Sequence, residues 1–115
     1  MKVTDIFKPP FRADGAFIYS ANGVMCLMAA NCRYYPREMM NRIVQLINGE
    51  SRPTKKADVG VNFSEICING DPVLTVRGWE YLSGTLNLSA DEAENVQSEF
   101  AVWVVGRLKG EEDTI

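Results

Sequence analysis

Histidine is absent from the 115 residues. That absence removes Ser-His and Cys-His nucleophilic pairs, imidazole metal ligands and the side chain most often used as a general base near neutral pH. Cysteine is scarce. Cys26, Cys32 and Cys67 are an odd number without C-x-x-C spacing, which fits reduced thiols in a cytosol better than a disulfide framework and does not suit a metal site. Cys26 and Cys67 fall inside apolar runs that read as strands, where a thiol keeps a high pKa and stays inert. Cys32, beside Arg33, is the one placed for exposure and activation. No glycine-rich phosphate loop is present, because DGAF, NGVM and INGD are turns without G-x-x-x-x-G-K or G-x-G-x-x-G spacing. Neither nucleotide hydrolysis nor a cofactor is expected. No apolar run approaches the roughly 20 residues of a membrane span, and the start MKVTDIFKPPF lacks the apolar core of a signal peptide. The expectation is a cytoplasmic protein that does not enter a membrane.

What is present suits one packed domain over residues 1–115, since 46% apolar and 23% charged residues lie near the globular average. The net charge of −3 hides an asymmetry. Residues 1–56 hold nine Lys/Arg against four Asp/Glu, and residues 57–115 hold three against eleven. Opposite halves can neutralise each other within the chain or head to tail between chains, and the basic half can also meet an anionic partner.

Residues 1–15 carry Pro9-Pro10 and Asp14-Gly15, so Phe7 and Phe11 are expected on an extended arm that packs over the body as a lid. AFIYSANGVMCLMAA then reads as a β-hairpin, with Asn22-Gly23 as a type I′ turn that pairs Tyr19 with Cys26 and Phe17 with Met28. Ile18, Met25, Leu27 and Ala29 fall on the other face. Both faces are apolar, so one is left for a partner chain or for covering helices. REMMNRIVQLI after Pro36 carries a helical stripe of Met40, Ile43 and Ile47, stopped by Asn48-Gly49. The basic stretch over 49–60 reads as a flexible linker loop. FSEICI and VLTVRG form a second hairpin, where Pro72 argues for a four-residue loop and puts Ile66, Ile68 and Val73 on one face.

GWEYLSGTLNL is an aromatic turn, after which Ser89 and Glu92 form a capping box that starts a helix near Ala90. Asp91, Glu92 and Glu94 suit the helix dipole, which explains them without catalysis. Ala93, Val96, Phe100, Trp103 or Val104, and Leu108 form the core stripe, and beyond Phe100 the helix is apolar almost all round. Residues 110–115 form an acidic tail. The predicted fold is α+β, two β-hairpins and two helices in the order ββαββα, with an antiparallel sheet and helices packed on one face.

Arg33-Tyr34-Tyr35 and Arg77-Gly78-Trp79-Glu80-Tyr81 each set Arg beside aromatics. Such clusters stack planar groups or anchor protein interfaces, and they also serve as packing at a sheet rim. Arg77, Trp79, Tyr81, Arg33 and Tyr35 are therefore the candidate binding residues, with strand alternation putting the first three on one side.

The strings DGAFIYSANGVM and RGWEYLSGTLNL, followed by the spacing A…Q.EF..WVV..L, span about half the chain and resemble small proteins encoded by bacteriophages and prophages. The resemblance brings no catalytic residue with it. It implies an accessory protein of the host cytoplasm, and opposing a bacterial defence system is one job for such a protein. The leading expectation is a non-enzymatic, homo-oligomeric inhibitor acting by protein–protein occlusion, without specific nucleic-acid binding. The alternative is a sponge that sequesters a small nucleotide signal. A small enzyme working without histidine comes third.

Overall fold

The computed structural model of the chain describes residues 2–31, 37–53, 58–62 and 64–110. They form a one-turn helix α1 (Val3–Ile6), strands β1 (Arg12–Asp14), β2 (Phe17–Tyr19) and β3 (Met25–Ala29), and helix α2 (Arg37–Ile47). Strands β4 (Val59–Asn62), β5 (Glu65–Ile68) and β6 (Asp71–Val76) follow, then a π-helical turn (Tyr81–Thr85) and helix α3 (Ala90–Lys109). The strands make one antiparallel sheet in the order β1-β2-β3-β6-β5-β4. The fold is α+β with helices on the sheet, but it has six strands where the two hairpins alone give four. Each half is a three-stranded meander followed by a helix. The meanders join through their last strands, with Leu27 opposite Val76, Met28 opposite Thr75 and Ala29 opposite Leu74.

The turn chemistry is the reverse of the sequence expectation. In the first hairpin the Ser20 N–H donates to the Val24 carbonyl at 2.9 Å, and of Asn22 and Gly23 only Gly23 has positive φ, +82°. This is a three-residue loop with its last residue left-handed, not a type I′ turn. Asn22 is occupied elsewhere: its side-chain amide donates to the Ile6 carbonyl at 3.0 Å and its Oδ1 accepts from the Lys8 N–H at 3.3 Å. In the second hairpin Asn69 and Gly70 have φ of +52° and +86°, and Ile68 pairs with Asp71. That pair is the type I′ turn. Pro72 sits inside β6, tolerated because β3 reaches no further than Leu74 and a bulge lies beside it.

Both hairpins carry a bulge, and each moves a residue between faces. Tyr19 lies opposite Met25 and Ile18 opposite Leu27, so Met25 leaves the expected face and Cys26 is buried. Ile66 lies opposite Leu74, not beside Val73. The core face therefore holds Ile18, Leu27, Ala29, Ile66, Leu74 and Val76, all buried. α3 packs over β4, β5 and β6, and α2 packs on α3 and β1. On the opposite face Phe17, Met28 and Thr75 are only half-buried.

The arm is not a lid. Phe7 and Phe11 are buried in the core, with ring centroids 4.7 Å and 6.0 Å from Phe100, and Phe11 is 5.7 Å from Trp103. Arg12–Asp14, expected within the arm, is the edge strand β1. Asn48, just past α2, clasps the arm with its amide: Oδ1 accepts from the Phe11 N–H at 2.6 Å and Nδ2 donates to the Phe11 carbonyl at 2.8 Å. The aromatic cluster covers the part of α3 expected to need burial on several sides, leaving Val102 as its exposed apolar residue at 66%.

α3 begins as expected. The Ser89 hydroxyl accepts from the Glu92 N–H and the Glu92 carboxylate accepts from the Ser89 N–H, both at 3.2 Å. Gly110 ends the helix with φ +82°. The loop after α2 is tied down at its start, where the Arg42 guanidinium donates to the Ser51 hydroxyl and, at 2.9 Å, to the Arg52 carbonyl. It ends sooner than residue 60, because β4 begins at Val59. Residues 54–57 of that linker and 111–115 of the acidic tail lie outside the described residues.

Candidate binding groove at the end of strand β6

β6 ends at Val76, so strand alternation does not organise Arg77, Trp79 and Tyr81. The ladder continues one step as the Arg77 N–H donates to the Cys26 carbonyl at 2.8 Å. Gly78 then turns the chain with φ +99°, a conformation that L side chains rarely adopt. A Cβ there would lie 3.0 Å from two ring carbons of Phe7. Trp79 and Glu80 open a helical turn that widens into the π-helical Tyr81–Thr85. The Leu82 N–H donates to the Gly78 carbonyl and the Leu86 N–H to the Tyr81 carbonyl, both at 3.0 Å, while the Ser83 hydroxyl donates to the Trp79 carbonyl at 2.9 Å. Leu82 is fully buried and anchors the turn. Single π turns of this kind occur often at functional sites.

The three predicted residues still meet. Arg77, Trp79 and Tyr81 line one groove of about 710 Å³ together with Glu80, Thr85, Gln97 and residues 23–25 of the first hairpin. Trp79 stands 42% exposed. It also lines a second groove of about 350 Å³ with Ser64, Glu94, Gln97 and Ser98, so the indole forms a ridge between two concavities. Gln97 ties α3 to the site by donating its Nε2 hydrogen to the Arg77 carbonyl at 3.4 Å. Arg33 and Tyr35, proposed to complete the surface, lie outside the described residues.

Sequence reading missed Gln97, Glu80 and the hairpin residues 23–25. Only the β3–β6 pairing brings residues 23–25 to Arg77, and no local signal announces it. Chemically, the groove can stack a planar group on Trp79 or Tyr81 and pair a carboxylate with Arg77. The Glu80 carboxylate on the same wall opposes a polyanion. Cys26 offers no nucleophile: burial pushes its thiol up to about 12, and its Sγ lies 3.6 Å from the Ile18 carbonyl. Among the described residues no group of three Cys, Asp or Glu side chains is placed to hold a metal ion.

Compared with protein-family models, curated proteins and solved structures, the chain matches none. No described helix is long and apolar enough to cross a membrane.

Proposed function

We propose that the chain is a non-catalytic binding protein that occludes a protein partner through the Trp79 ridge. The observation that carries this reading is a half-exposed indole held between the Gly78 hinge and the π-helical turn, with a groove on either side and Arg77 beside it. Tryptophan and arginine are the residues most often found as interface hot spots, above all when a rigid scaffold presents them. The nucleotide sponge is the weaker reading, since the larger groove sets one guanidinium against one carboxylate and a phosphate chain needs converging positive charge. The resemblance of residues 14–25 and 77–88 to phage-encoded proteins supports a setting in the host cytoplasm, with a component of a defence system as the target.

The test uses tagged wild-type protein, Trp79→Ala and Arg77→Ala to capture partners from a bacterial lysate, with mass analysis of the purified wild type for a carried ligand. The expected result is a discrete protein captured by wild type and lost with either variant, each variant keeping its circular dichroism spectrum. A carried nucleotide that Arg77→Ala abolishes would replace occlusion with sequestration. Unfolding by Trp79→Ala, with capture unchanged in Arg77→Ala, would make both residues structural.

A further inference from the structure

Asparagine precedes glycine three times, at Asn22-Gly23, Asn48-Gly49 and Asn69-Gly70. With no Cβ on the glycine, its backbone nitrogen can approach the preceding side-chain amide unhindered. The fold treats the three pairs differently.

In two of them both reacting groups are tied down. The Gly23 N–H donates to the Ser20 carbonyl at 3.0 Å, and the Gly49 N–H donates to the Leu46 carbonyl at 3.1 Å. The side-chain amides are held as well. Asn22 Nδ2 donates to the Ile6 carbonyl at 3.0 Å, and Asn48 Nδ2 donates to the Phe11 carbonyl at 2.8 Å. Attack of either glycine nitrogen on the amide carbon must break one hydrogen bond at the nucleophile and another at the leaving nitrogen.

At the third pair neither constraint exists. Among the described residues the Gly70 N–H and Asn69 Nδ2 have no hydrogen-bond partner. Gly70 is the second central residue of the type I′ turn whose ends, Ile68 and Asp71, pair with each other, and that turn leaves its nitrogen unused. Both residues are exposed, and nothing lies within 4 Å of where a Gly70 Cβ would stand. One contact remains on the Asn69 side chain: its Oδ1 accepts from the Asp58 N–H at 3.2 Å. That donor sits on the oxygen, not on the leaving nitrogen. It draws electrons from the amide carbon and stabilises the oxyanion that forms on attack, as a donor of an oxyanion hole does.

We propose that Asn69-Gly70 is a self-modification site, which closes to a cyclic imide and reopens in water to a mixture of isoaspartate and aspartate at position 69. The Gly70 nitrogen bonds to Cγ of Asn69 while the Cγ–Nδ2 bond breaks, and the proton lost from Gly70 leaves with Nδ2 as ammonia, relayed by hydroxide and water. Water then adds to one of the two imide carbonyls. Cleavage at Cγ gives aspartate, and cleavage at the main-chain carbonyl gives isoaspartate, with the chain running through the former side chain. Ring closure needs the Asn69 backbone to rotate out of its left-handed conformation, φ +52°, and local fraying at the hairpin tip supplies that motion.

The products change the hairpin. Either one adds a carboxylate at a turn already flanked by Asp58 and Asp71, and isoaspartate adds a backbone atom to a loop whose length sets the β5–β6 register. The site lies at the start of β6, and Trp79 lies beyond its end. This chemistry is therefore independent of what the Trp79 groove binds.

The test is peptide mapping by mass spectrometry of folded wild type held in mildly alkaline buffer, because hydroxide drives the closure. Trypsin cuts after Lys and Arg, so the three pairs fall in separate peptides. Asn69 is expected to lose ammonia about tenfold faster or more than Asn22 and Asn48, which corresponds to about 1.4 kcal/mol of barrier, and to yield both isoaspartate and aspartate. The same incubation in guanidinium should bring the three rates together, since the discrimination comes from the fold. Asn69→Gln is expected to abolish the early ammonia loss with an unchanged circular dichroism spectrum; should it fail to fold, the wild-type map alone decides. Asn22 or Asn48 reacting as fast as Asn69 in the folded protein overturns the proposal. So does an Asn69 that stays intact when folded yet reacts readily in guanidinium, which would show that the turn protects it.

Discussion

Replacing Gly78 by alanine should be among the most damaging single changes outside the core, and its cost can be worked from two separate terms. The backbone sits at φ +99°, and holding a non-glycine residue in such a region costs about 1–3 kcal/mol. The added Cβ would lie 3.0 Å from Cε1 and Cζ of Phe7. That ring cannot yield easily, because it is fully buried and its centroid is 4.7 Å from that of Phe100. Forcing a methyl into a packed core costs about 1–3 kcal/mol more. Together these reach about 2–6 kcal/mol, a large part of the roughly 5–15 kcal/mol that holds a typical domain folded. The midpoint of thermal unfolding should fall by about 8–25 °C for a chain of this length, followed by circular dichroism. Gly84→Ala is the control, because Gly84 has open space around it and no positive φ; it should be nearly neutral. Phe7→Leu in the Gly78→Ala background should recover the steric term only, giving a favourable coupling energy in the double-mutant cycle. A Gly78→Ala protein that melts within two or three degrees of wild type, to the scale of about 1 kcal/mol, would refute the reasoning.

Two further outcomes follow from single contacts. Asn48→Ala should lower stability by about 1–3 kcal/mol in urea titration, because both backbone groups of buried Phe11 lose their partner together; a change below about 0.5 kcal/mol would mean water replaces the amide at no cost. Burial pushes the Cys26 thiol from 9.0 to about 12, so the folded state keeps a proton that the unfolded chain releases. The resulting stability is fully present below pH 9 and is lost as pH rises from 9 toward 12, so wild type should lose stability over that window more steeply than Cys26→Ala, and equal slopes would contradict the burial.

Elements whose signals are local were legible in the sequence. Ser89 and Glu92 place the start of α3 at Ala90 because a capping box needs only neighbours, and the stripe Met40, Ile43, Ile47 shows the buried side of α2 for the same reason. The two Asn-Gly pairs announce hairpins but not their turn types, since the choice rests on distant partners. The Asn22 amide is held by Ile6 and Lys8, whereas the Asn69 Oδ1 accepts the Asp58 N–H at 3.2 Å. Arg12–Asp14 and Val59–Asn62 are too short and too weakly patterned to read as strands, and only pairing makes them so. The site shows the same division. Arg77, Trp79 and Tyr81 were visible as a cluster, but Gly78 and the π turn bring them together, and Gln97 joins them only through the packing of α3.

The interlocked rings of Phe7, Phe11, Phe100 and Trp103 also order events during synthesis. The arm and both meanders precede residue 100 in the chain, so Phe7 and Phe11 are made long before the helix residues they pack against. Until α3 is made, the sheet's core face carries Ile18, Leu27, Ile66 and Leu74 without the helix that covers them. Such intermediates are prone to aggregate. Closure of that face can come only once α3 has been translated, so a chain stopped before Ala90 should expose the same surface.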